Sequence, residues 1–115
     1  MGEVVKLVEI HKKMLFFEKY KKLNPLFSEI EKRSKGIAIV FGSYANFSSN
    51  KKSDFDLLVI GTVSDLEDLE NLYNIKINVV KSTGEKFKSD TLFFNEIMKN
   101  HVVLKGVEEF VGLIW

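Results

Sequence analysis

The chain has 115 residues, 45% of them hydrophobic, no cysteine and a formal net charge of +1. That suffices for one domain with a modest core, and it excludes a disulfide framework, a thiolate metal site and a cysteine nucleophile. The near-neutral balance gives no long-range field for nucleic acid, so direct nucleic-acid binding is not expected. The apolar runs fall well short of a membrane span and no signal-like segment opens the chain, which points to a cytoplasmic protein.

With no linker, repeat or low-complexity stretch, residues 1–115 read as one domain: N-terminal helices over 1–35, a core over 36–81 and a helical segment over 82–115. From Val4 to Lys21 the apolar residues Val4, Leu7, Val8, Met14, Leu15 and Phe17 predict an amphipathic helix packed on a sheet. Pro25 opens a second helix, which ends before a Ser34-Lys35-Gly36 turn. Gly36 to Phe41 is a short apolar strand, broken by Gly42-Ser43. A second strand runs from the Asp54-Phe55-Asp56 segment through Ile60 and stops at a Gly61 turn. Ser64 and Glu67 have capping-box spacing for a helix carrying Leu66, Leu69 and Leu72 and closed by Asn74. Ile75 to Val80 reads as a third strand. A helix over Thr91–Asn100, an extended segment over His101–Lys105 and a last amphipathic helix from Val107 to Trp115 complete the chain. The terminal Val111-Gly-Leu-Ile-Trp115 stretch either covers the sheet or forms a partner surface, so self-association is left open.

The chemistry concentrates between the first two strands. Residues two apart in a strand share a face, so Asp54 and Asp56 project side by side at about 6.5–7 Å between Cα atoms. Phe55, Leu57 and Val59 point the other way, into a core. Asp is depleted in strand interiors, and a hard cation with oxygen ligands would compensate for two of them together. Ten residues upstream, the Gly42-Ser43 turn offers backbone amides and a hydroxyl to phosphate oxygens. On the third strand Lys76, Asn78 and Val80 share one face, which makes Lys76 a candidate cation for phosphate. His11 and His101 stand without a ligand partner at useful spacing, and packing or surface roles are expected for both.

Gly36 to Ile60 resembles the nucleotidyltransferase domain of the DNA polymerase beta superfamily, and within it the minimal nucleotidyltransferases of the prokaryotic and archaeal antitoxin-like branch. The resemblance extends over roughly residues 25–115. It implies an α/β (α+β) nucleotidyltransferase fold, a small mixed β-sheet with helices packed mainly on one face. It also implies triphosphate binding at Gly42 and Ser43, and Mg2+ binding and catalysis at Asp54 and Asp56. The family often reads Gly-Ser-x-Ala-Arg-Gly, whereas this chain has Asn46 and Phe47 at the last two positions. A third carboxylate is expected on the following strand, where Asn78 stands instead. An amide can ligate a metal but cannot accept a proton at neutral pH, so a general base is missing unless Glu85 or Asp90 moves in.

By the same resemblance, the expected activity is transfer of a nucleoside monophosphate from a nucleoside triphosphate, ATP first, to a hydroxyl. The acceptor would be a helical HEPN-type RNase toxin whose antitoxin this chain is. The rival is a catalytically degenerate module with the same fold, neutralising its partner by contact alone. Transfer to a small molecule ranks last, because no substrate-binding domain accompanies these residues.

Overall fold

The computed structural model describes residues 2–115. Four strands, β1 (Ser34–Phe41), β2 (Phe55–Val63), β3 (Ile77–Ser82) and β4 (Val102–Lys105), form one sheet in the order β3-β2-β1-β4. The β2–β3 pair is parallel and the β1–β2 and β1–β4 pairs are antiparallel, so the sheet is mixed. Seven helices flank it: α1 (Gly2–Lys19), α2 (Asn24–Arg33), α3 (Gly42–Ala45), α4 (Glu67–Tyr73), α5 (Gly84–Ser89), α6 (Thr91–Lys99) and α7 (Val107–Ile114). None is long and apolar enough to cross a membrane.

Strand alternation divides the apolar side chains between two cores. Ala38, Val40, Phe55, Leu57, Val59, Ile77, Val102 and Leu104 face the larger one, roofed by Phe16 of α1, Leu26, Phe27 and Ile30 of α2, Tyr44 of α3 and Leu69 of α4. Ile37, Ile39, Leu58 and Val103 face the other, which Phe87, Ile97, Phe110 and Val111 of α5, α6 and α7 cover. Most helices up to α4 therefore pack on one face, and the C-terminal three close the second. Val111, Leu113 and Ile114 join that second core, leaving Trp115 exposed, so the apolar terminus chiefly covers the sheet.

Four local expectations are corrected. Ser34 and Lys35 belong to β1, because the Ser34 hydroxyl donates to Ile30 O at 2.7 Å and closes α2 from within the strand. Ser64 does not cap α4; the Asp65 carboxylate accepts from the Glu67 amide at 3.1 Å, while Asn74 ends the helix in the left-handed region as expected. β2 runs on through Gly61 to Val63, and β3 begins at Ile77 rather than Ile75. The start of β3 is set by the Ile77 amide donating to the Glu70 carboxylate at 2.8 Å.

The largest departure concerns α1. Val4, Leu7, Val8, Met14 and Leu15 are exposed, while the helix turns Glu9 and Phe16 inward. It lies along the β4 edge of the sheet through polar contacts: Lys13 donates to Leu104 O at 2.7 Å and pairs with Glu31 at 2.8 Å. His101 is buried, its Nδ1 bonded to Ile97 O at 2.9 Å and its Nε2 2.9 Å from the Glu9 carboxylate, with Lys12 Nζ 3.1 Å from the same carboxylate. Burial pushes the Glu9 carboxyl up, but the hydrogen bond and charge of His101, joined by Lys12, outweigh it and hold the group below its ordinary value.

Because the folded state holds Glu9 with a depressed pKa, its contribution is complete above the ordinary carboxylate range and is lost as pH falls through the lower folded value. Urea denaturation should show stability falling on acidification, with a shallower fall in Glu9→Gln. Glu9→Ala at neutral pH should cost about 1–3 kcal/mol by removing a buried hydrogen-bond partner of His101.

Candidate active site

The β1–β2 register pairs Phe41 with Asp56, so the residue after Phe41 lands beside that carboxylate. That residue is Gly42, with φ +71°, and a Cβ added there would collide with Asp56 Oδ2. Only glycine meets both conditions without strain. Gly42 and Ser43 open the short helix α3, Ser43 half-buried, and the chain leaves through Asn46 and Phe47. Phe47 has φ +64°, a left-handed conformation costly for a bulky side chain, at the position where the resemblance sets glycine.

Aromatic packing fixes the two halves of the motif to one another. Phe55, fully buried between the two aspartates in sequence, meets the Tyr44 ring edge-on at 5.1 Å and stacks on Phe27 at 5.7 Å. Tyr44, next to Ser43, in turn packs on Tyr20 at 5.1 Å. Burial pushes the Tyr44 hydroxyl's pKa up. Phe55, Leu57 and Val59 face the larger core as expected, and Asp56 faces the opposite side of the sheet.

Parallel pairing places Asn78 directly across from Asp56. Its Nδ2 donates to Asp54 Oδ2 at 3.0 Å and to Asp56 Oδ1 at 3.1 Å. Carboxylate oxygens accept only, so the amide nitrogen must face them and the carbonyl faces away. Asn78 therefore ties the two acids together where a third carboxylate would repel them. Lys76 precedes β3, is exposed and makes no ion pair or side-chain hydrogen bond with the acids; its carbonyl accepts from the Phe55 amide at 2.8 Å. Asp90 caps α6 by accepting from the Phe93 amide at 3.2 Å, and Glu85 is exposed on α5. Among the described residues no group of three or more acids or histidines gathers to hold a metal. The site is two carboxylates, one amide that donates to both of them and a glycine turn, and the two carboxylates supply the kind of oxygen ligand that hard cations take.

The family model for the nucleotidyltransferase domain matches residues 9–112. The chain belongs to that family. Two solved structures share the nucleotidyltransferase fold with it. One, a toxin–antitoxin crystallised with AMP-PNP, is 17% identical with a TM-score of 0.55, covering 78% of this chain and 77% of that one. The other, a mutant of the toxin–antitoxin MntA-HpeT, is 15% identical with a TM-score of 0.51 and the same coverage. No curated protein matches the sequence.

Within this nucleotidyltransferase domain the structure brings Gly42, Asp54, Asp56 and Asn78 together, and sequence reading did not foresee that Asn78 acts as a donor to both acids. That role needs the β2–β3 register, which no spacing rule supplies. Phe55→Ala should cost about 3–5 kcal/mol in urea denaturation, since it removes the ring on which Tyr44 and Phe27 rest. Gly42→Ala should cost about 1–2 kcal/mol from left-handed strain alone, with the Asp56 carboxylate displaced in a crystal structure of the variant.

Proposed function

We propose that this nucleotidyltransferase binds a nucleoside triphosphate, ATP first, with Mg2+, and transfers the nucleoside monophosphate to a hydroxyl. The observation that carries this reading is the Gly42 turn lying so close to Asp56 that no side chain fits between them. Asp54 and Asp56 would hold Mg2+, which when bound would draw charge from the phosphates. The donors that open α3 at Gly42 and Ser43 would orient the β- and γ-phosphates, which leave as pyrophosphate while the acceptor oxygen bonds to the α-phosphorus. Lys76 is a flexible cation near the β3 entrance and would neutralise phosphate only by reaching toward it.

No side chain at the site is placed as the base for the acceptor hydroxyl, because Asn78 cannot take a proton. Transfer is therefore expected to be slow, and a partner could supply the missing group. The acceptor proposed is a helical HEPN-type toxin in the same cell's cytoplasm; that both structural neighbours are toxin–antitoxin proteins supports a toxin partner in general. A second reading, a non-catalytic antitoxin of the same fold, is favoured by one observation: the Asn78 amide already satisfies one oxygen of each aspartate.

Incubation with α-labelled ATP and the partner toxin should label the toxin in Mg2+ and not in EDTA. Asp54→Asn should abolish labelling with little change in folding, and labelling equal to wild type in that variant would sink the assignment. Asn78→Asp should lower the melting temperature without metal, by adding a like charge, and gain more from Mg2+ than the wild type does. If the second reading holds, neither protein labels the toxin and both still bind it.

A further inference from the structure

The outward face of α1 presents an apolar stripe where a surface helix ordinarily presents charge. Val4, Leu7, Val8, Met14 and Leu15 are each between 47% and 66% exposed. With His11 and Glu18 they fall within about 120° of arc, and the seam from residue 4 to residue 18 is about 21 Å long. The inward face of the same helix carries Glu9, Lys12 and Lys13, engaged with His101, Leu104 and Glu31. These polar residues, together with the buried Phe16, anchor α1 to its own domain, and Val4, Leu7, Val8, Met14 and Leu15 are left for something else. Five such side chains at these exposures make a patch on the order of 500 Å², near the top of what the largest patch on a monomer covers. A homodimer interface of about 800 Å² per partner, some 65% apolar, needs about that much.

We propose that this face is covered by a second copy of the chain, with the two α1 helices packed antiparallel about a two-fold axis at His11. The stripe is self-complementary in that arrangement. With His11 opposite His11 of the second copy, Leu7 meets Leu15, Val8 meets Met14 and Val4 meets Glu18, each pairing repeated by symmetry. The flanking charges match as well: Glu3 of one copy comes opposite Lys19 of the other at both ends of the seam, and both residues are exposed. Among the described residues Glu3 pairs loosely with Lys6 at 3.6 Å, and its side chain is 90% exposed, so it can turn outward. A parallel pair would set Glu3 against Glu3 and Lys19 against Lys19. The polar His11 pair at the centre and Glu18 at the rims fix the register, as single polar seam positions do in helix pairs.

The chain has no cysteine, so one introduced thiol reports the register directly. Sedimentation from about 1 to 200 μM should show a monomer–dimer equilibrium, shifted at least tenfold toward monomer by Leu7→Glu or Met14→Glu, with circular dichroism confirming that both variants fold. His11→Cys should be joined into dimers by a short bifunctional maleimide, and Val4→Cys should not. Glu3→Lys and Lys19→Glu should each weaken the dimer, and the double variant should restore it. A monomer throughout the concentration range, a dimer insensitive to Leu7→Glu and Met14→Glu, or crosslinking through Val4→Cys in place of His11→Cys would each overturn the proposal. A toxin that binds the monomer and is released by Leu7→Glu would assign the face to a heterologous partner and overturn it equally.

Discussion

The contact between Tyr44 and Phe55 is the constraint on which the site depends. One ring follows the glycine turn and the other sits between the two aspartates, and their edge-to-face packing against Phe27 joins the end of β1 to the start of β2. The eight residues between Asn46 and Phe55 form a loop that is polar apart from Phe47, held by turn hydrogen bonds such as Lys52 N to Asn50 Oδ1 at 2.8 Å. Such a loop cannot fix the separation of two motif halves by itself. The strand register brings Gly42 beside Asp56, and the aromatic cluster keeps it there, so that the core on one face of β2 positions the carboxylates at its other edge.

Charge at the site is arranged differently from what three carboxylates would give. Two acids held close repel one another, and a donor amide reduces that repulsion without a cation. Asn78 performs that service in the absence of metal and forgoes a base in return. Phe47 in the left-handed region is a second local cost at the same turn, offset in part by its edge-on contact with Tyr20 at 6.0 Å.

Much of this was legible in the residues because strand alternation is a strict rule. Phe55, Leu57 and Val59 had to face opposite Asp56, and Asn78 had to fall near the acids once a third strand was placed beside them. Helix α1 was misread for an equally physical reason. Apolar periodicity locates a helix's uniform face and assumes that this face is the buried one. Here the burial of Glu9 and Phe16, with half-buried Lys13 bonded to Leu104 and Glu31, reverses that assumption. The Glu9–His101–Lys12 cluster that accompanies it joins residues 9 and 101, whose proximity no local pattern encodes. The Asp65 contact with the first turn of α4 and the start of β3 at Ile77 were missed on a smaller scale, since each rests on a carboxylate accepting one particular amide.

Calorimetric titration of ATP into the purified protein, with Mg2+ and with EDTA, tests the central claim most directly when run beside Asp54→Asn. The account predicts saturable binding that requires Mg2+ and disappears in the variant while its melting curve is preserved. Binding that is indifferent to EDTA and to Asp54→Asn, or no binding by the folded wild type in either condition, would contradict it.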